Sequence, residues 1–241
     1  PTMTIRFITN SEHLLGVPEL QPRRMTPEWF ERVMTRVGDD GNNDNPEVAG
    51  FKTVRVCPGF TDLYETAIML PLWCDVILTR CSPDQNDYPV PDPISADVFA
   101  LDDPEGFRVD WHPAAQAPGM PGVFGMTALP KMVSPWLIET DEGWSVYVTP
   151  ATHHSGTLPF EPIAGIIDTD IYHSSHLPCR WTREPGREET ILARTPFAYI
   201  FPFKREETPE IEIRLAKDEG ELEKLDAQYG PGEYRKKRKR T

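Results

Sequence analysis

Ser134-Pro135-Trp136-Leu137-Ile138-Glu139-Thr140-Asp141-Glu142-Gly143-Trp144-Ser145-Val146 and, further on, Gly165-Ile166-Ile167-Asp168-Thr169-Asp170-Ile171-Tyr172 are the stretches on which the fold turns. The first reads as two β runs around an Asp-Glu-Gly turn. The second reads as a strand that ends in paired carboxylates. Acidic side chains placed after an apolar Ile-Ile pair sit where a strand leaves the core for solvent, which is a natural place for a site. The competing reading is a turn in which each Asp bonds its own backbone.

Short β-type runs of the same kind lie on either side. Before it come residues 4–9, 53–57, 67–72, 75–79, 97–101 and 107–112; after it come 160–167, 190–193 and 197–203. The 26 prolines punctuate these runs, and they are about twice the average share. Proline cannot donate to a ladder, so Ser82-Pro83 and residues 88–93 are loops or edges. Many short strands between Pro and Gly predict a mostly β protein with a β-clip-like barrel or sandwich, and they argue against parallel βαβ winding.

Two helices are expected. The N-terminal one spans 27–37, with Thr26 as cap, Pro27 in the first helical position and Gly38 as the left-handed stop. The short C-terminal one lies within 217–228 and ends near Gly230. Between the last sheet strand and that helix, Glu210-Ile211-Glu212-Ile213-Arg214-Leu215 alternates as a half-exposed strand would. Residues 39–46 (DDGNNDNP) form a surface loop. The length suits one domain over 1–230, followed by a basic tail at 231–241.

Charge separates body from tail. The formal net charge is −13, although Arg235, Lys236, Lys237, Arg238, Lys239 and Arg240 alone contribute six positive charges. An acidic body repels nucleic acid, whereas the tail (235–240) suits phosphates or an acidic partner. The competing reading of the tail is a solvated terminus. No run approaches the roughly 20 apolar residues of a membrane span. Pro1 to Thr9 has no signal-peptide character. Both readings lead to a cytoplasmic, membrane-free protein, and the aromatic-rich composition to one that folds; self-association as a homo-oligomer is expected besides. Cys57, Cys74, Cys81 and Cys179 follow no zinc or disulfide spacing and read as buried free thiols.

The short patterns Ser134-Pro135-Trp136-Leu137-Ile138, Gly143-Trp144-Ser145, Gly165-Ile166-Ile167-Asp168-Thr169-Asp170 and Pro202-Phe203-Lys204-Arg205-Glu206 resemble those of an uncharacterised family found in bacteria and cyanophages. That resemblance covers residues 57–206 and implies no function. More distantly, the order Gly143-Trp144, Thr149-Pro150, Gly165 to Tyr172 and Phe197-Ala198-Tyr199-Ile200 is similar to the dUTPase and dCTP-deaminase superfamily of β-clip folds. It implies that Asp168 matches the carboxylate that activates water. It also implies that Tyr172, displaced by the inserted Ile171, matches the aromatic beneath the sugar. The chain departs from that pattern after Pro150: Ala151-Thr152-His153-His154-Ser155-Gly156 stands where the superfamily carries its phosphate-binding Arg-Ser. The Gly-rich C-terminal arm is absent as well. Without those grips a pyrophosphatase loses positioning and charge stabilisation.

A further candidate cluster is His153, His154, Asp168, Asp170, His173 and His176. Imidazole with carboxylate suits Fe(II), Mn(II) or Zn(II), but no recognised ligand spacing occurs, so no metal ligand or cofactor is assigned. The chain also lacks G-x-S-x-G, G-x-G-x-x-G and Walker patterns. Trp136 and Trp144, with Trp73, Trp111 and Trp181, either line a ligand groove or pack the core. The expectation is a non-catalytic binding or assembly module of β-clip type, phage-related, with catalytic Asp168 and ligand-binding Asp170, Tyr172, His153, His154, Trp136 and Trp144 as candidate site residues. The alternatives are a nucleotide-binding or nucleotide pyrophosphatase-like protein and a His/Asp metalloenzyme.

Overall fold

A computed structural model describes residues 3–39, 47–79, 109–120, 128–182, 188–205 and 210–225. In chain order the elements are β1 (Ile5–Ile8), α1 (Glu12–Gly16), α2 (Glu28–Arg32), α3 (Pro58–Thr66), β2 (Ile68–Pro71), β3 (Val76–Thr79), β4 (Val109–Pro113), β5 (Ala128–Met132) and β6 (Leu137–Thr140). They continue with β7 (Trp144–Pro150), α4 (Thr152–Ser155), β8 (Phe160–Pro162), β9 (Gly165–Ile167), β10 (Leu177–Trp181), β11 (Glu188–Ile191), β12 (Pro196–Lys204) and α5 (Glu219–Leu225). The fold is mostly β, as the sequence predicts. Where one domain was expected over 1–230, the chain divides into two compact units: Pro1–Met25 with Ala67–Arg205, and Thr26–Thr66 with Glu206–Thr241.

The first unit holds every strand found among the described residues. Two four-stranded antiparallel sheets, β2-β12-β7-β9 and β4-β5-β10-β8, stand beside two separate two-stranded sheets, β1-β6 and β3-β11. No ladder among the described residues closes them into a barrel. The long strand β12 runs between β2 and β7, with Phe201 opposite Tyr147 and Ile200 opposite both Ile68 and Val148. Alternation along β12 sends Ala198 and Ile200 into the core with Val146, Val148, Ile68 and Leu70. Phe160 of β8 meets Trp181 of β10 edge-on at 6.1 Å and Phe197 of β12 at 5.7 Å, so one aromatic ring spans the two large sheets. Edge-to-face rings of this kind contribute beyond their buried area.

The second unit is built differently. In it, Trp29, Phe30, Phe60 and Tyr64 form a ring cluster, and the guanidinium of Arg55 lies 4.9 Å over Phe30. The helix expected over 27–37 stops at Arg32. Beyond it the β-branched residues Val33, Thr35 and Val37 disfavour helix. The backbone there turns to the facing segment: Val37 N donates to Phe51 O at 2.9 Å, Gly50 N to Val37 O at 2.8 Å and Thr53 N to Thr35 O at 3.1 Å. Residues 53–57, expected as a strand, form a tight 3-10 turn at Val54–Val56. It leads into α3, which begins on Pro58, where a missing N–H costs nothing.

Three other expectations are corrected. The segments flanking the Asp-Glu-Gly turn do not form a hairpin, because β6 pairs with β1 whereas β7 pairs with β12 and β9. The run 160–167 breaks at Ile163-Ala164, and its halves join different sheets. Residues 210–215 belong to no sheet. The strand expected at 97–101 and the tail 231–241 lie outside the described residues.

Candidate functional site

The sheet order builds the site. With β7 lying between β9 and β12, Val146 faces Ile167 and Ser145 faces Phe203, so Ser145, Asp168 and Arg205 arrive at one end of the sheet. The turn after β9 is closed by Asp168 O, which accepts from Ile171 N at 3.0 Å and Tyr172 N at 2.8 Å. Thr169 is fully buried and anchors the turn, with its hydroxyl 2.8 Å from that of Thr140. On either side of this anchor the two carboxylates reach the same cation.

Arg205 donates to Asp170 through both terminal nitrogens, at 2.7 Å to Oδ1 and 2.5 Å to Oδ2. The same guanidinium lies 3.2 Å from Asp168 Oδ1 and 3.2 Å from Ser145 Oγ. The Ser145 hydroxyl donates to Asp168 at 2.6 Å, and Gly143 N donates to Asp170 Oδ2 at 2.8 Å. The backbone closes the circuit, since Arg205 N donates to Gly143 O at 2.8 Å. Asp170 is nearly enclosed, with its side chain 5% exposed, whereas that of Asp168 is 51% exposed.

Each bond favours the charged form of its acceptor. The Ser145 hydroxyl, helped by Arg205, holds the Asp168 carboxyl below its ordinary range. Arg205, helped by the Gly143 N–H, does the same for Asp170. The Asp170 bonds in turn raise Arg205 above its already high value. All three groups are therefore ionised at neutral pH. A carboxylate of lowered pKa is a weak proton acceptor, and a guanidinium forked onto Asp170 has its bidentate face occupied. The arrangement fixes the meeting point of three strands.

Gly143 sits in this circuit at a φ of +80°, and a Cβ there would meet nothing within 4 Å. The backbone conformation alone resists substitution. Gly143→Ala is expected to destabilise the protein by about 1–2 kcal/mol through left-handed strain, measured by chemical denaturation; an unchanged midpoint would show that the turn relaxes freely.

The remaining candidates take no part in this circuit through their side chains. Tyr172 is 56% exposed on the turn beside Asp168. Trp144 is half-buried and closes the 141–144 turn, with its N–H 3.2 Å from Asp141 O. Trp136, read as a ligand-binding candidate, is 2% exposed and belongs to the hydrophobic core. His153 and His154 ride on α4 against Tyr199, with ring centroids 6.4 and 5.6 Å away. Burial lowers the His154 pKa, opposed by its bond to the Met25 backbone and reinforced by His153 and Arg23. His173 Nδ1 bonds the carbonyls of Thr169 at 2.9 Å and Ile138 at 3.2 Å. His176 lies near Lys131 and Asp110, its pKa lowered chiefly by burial. Among the described residues no three His, Cys, Asp or Glu side chains converge as a metal site would require.

The sequence reading assigned no role to Ser145, Arg205, Thr140 or Thr169. Ser145 and Arg205 stand in the short patterns quoted above, but only the placement of β7 between β9 and β12 reveals that they meet the aspartates. No described helix is long and apolar enough to cross a membrane. Comparison with models of known protein families gave no match, and comparison with curated proteins gave none either.

Proposed function

We propose that the chain is a non-catalytic binding or assembly module of β-clip type, phage-related, rather than a nucleotide hydrolase. The observation that carries this reading is the engagement of Arg205: the cation beside the candidate catalytic Asp168 is spent on Asp170. Asp168 itself is held as a weakly basic carboxylate by Ser145. Triphosphate chemistry needs free cationic donors aimed at the transferring phosphoryl, and this arrangement offers a closed ion pair instead.

A nucleotide-binding reading keeps one observation in its favour, since Asp168 and Tyr172 are both exposed on one turn. The two readings separate in a thermal-melt series with deoxynucleoside triphosphates and magnesium. An unchanged melting temperature is expected. A saturable rise with one nucleotide, following the linkage of ligand binding to stability, would overturn the module reading and install the nucleotide one.

A further inference from the structure

Ile211, Ile213 and Leu215 are 88%, 93% and 92% exposed, three large apolar side chains at alternate positions of a segment outside every helix and sheet. Between them stand Glu212 and Arg214, whose charged groups lie 3.9 Å apart two residues along the chain, as an extended backbone allows. Arg214 is further tied to Glu221 of α5 at 2.7 and 3.1 Å, which fixes the charged side of the segment. Apolar residues on one face, charges on the other and no ladder partner among the described residues make this a strand lacking its neighbour.

We infer that the neighbour is residues 210–216 of a second copy of this chain, paired antiparallel about a two-fold axis through Ile213. This rests on the assembly-module reading and names its partner. The register is chosen by the residues. With Ile213 opposite Ile213, Ile211 faces Leu215 twice, and Glu212 faces Arg214 twice, so every cross-strand pair within residues 211–215 is apolar with apolar or opposite in charge, and Glu210 meets only the small Ala216 at each end. Moving the axis to Glu212 or Arg214 sets like charges opposite each other. Moving it between residues sets isoleucine against charge. Parallel pairing in register stacks Glu on Glu and Arg on Arg. The pairing that survives is two-fold symmetric, as closed homodimers are.

Two strands of this length bury less surface than a permanent interface, so the dimer is weak and concentration-dependent. Sedimentation velocity on the full chain, from micromolar to several hundred micromolar, is expected to show reversible monomer–dimer exchange. It should weaken at least tenfold in I213K. E212R and R214E should each dimerise poorly alone and recover when mixed, because the mixed pair restores both opposite-charge contacts. Under mild oxidation I213C should cross-link to itself well above the background of the unmodified chain and faster than E212C or R214C, since only at the axis does a residue face its own copy at disulfide distance. A chain that stays monomeric throughout, or cross-links equally at all three positions, overturns the inference. That failure is separate from failure of the module reading, which the nucleotide melts decide: a monomer indifferent to nucleotides would sink the dimer alone.

Discussion

Arg205→Ala is expected to lower the melting temperature by more than any other single substitution at the strand-end circuit. Asp170 is almost enclosed and carries two guanidinium bonds; removing the cation leaves a charge with little water to replace it. The deficit should depend on pH in a definite sense. The folded pKa values of Asp168 and Asp170 lie below the ordinary 3.8. Their contribution is therefore whole above about pH 4 and is lost as pH falls through the folded values. In the variant the part owed to Arg205 is missing, which is the main part at Asp170 and the lesser one at Asp168, where Ser145 still donates, so wild type and Arg205→Ala should differ most at neutral pH and converge in acid. Arg205→Ala/Asp170→Asn should regain part of the loss, because the buried charge is gone. Melts at several pH values check this, and a gap that stays constant into acid would show that Arg205 acts through packing alone.

Trp136→Ala should cost about 3–5 kcal/mol, the usual range for deleting a large buried ring. Trp136→Phe should cost far less. The indole N–H of Trp136 is buried without a hydrogen-bond partner among the described residues, so phenylalanine removes an unsatisfied donor along with part of the ring. The backbone contacts remain available, since the Trp136 carbonyl accepts from Ser175 Oγ at 2.6 Å whatever the side chain. Chemical denaturation of both variants checks this. A small loss in Trp136→Ala would favour the ligand-groove reading of Trp136 instead.

What could be read from the sequence was local. β7 and β12 are legible because apolar runs bounded by turn residues have few other uses. Their partners are not legible, since pairing with β9 and β2 depends on contacts far apart along the chain. The turn after Thr140 shows the difficulty: its composition is that of a hairpin, yet its two arms enter different sheets. The helix from Glu28 shows another. The apolar face runs on through Val33 and Val37, but β-branched residues and the backbone partners at Gly50, Phe51 and Thr53 end it at Arg32. At residues 210–215 the alternation declares a two-faced strand and says nothing about whether a neighbour is present. At the site, the Asp168 and Asp170 pair was visible as chemistry, whereas Arg205, 35 residues beyond Asp170, became visible only once the strands were ordered.

The first unit leaves off at Met25 and resumes at Ala67, and just inside that gap its two ends are pinned together. Arg23 N donates to Met69 O at 3.0 Å, and Met69 N donates to Arg23 O at 2.8 Å. The Arg23 side chain adds bonds to the carbonyls of Pro18, Glu19 and Gln21. Residues 26–66 therefore depart and return through one fixed doorway. In engineering terms this is a graft point: a short linker can replace the inserted segment, or a foreign sequence can occupy its place, without asking any strand of the sheets to move.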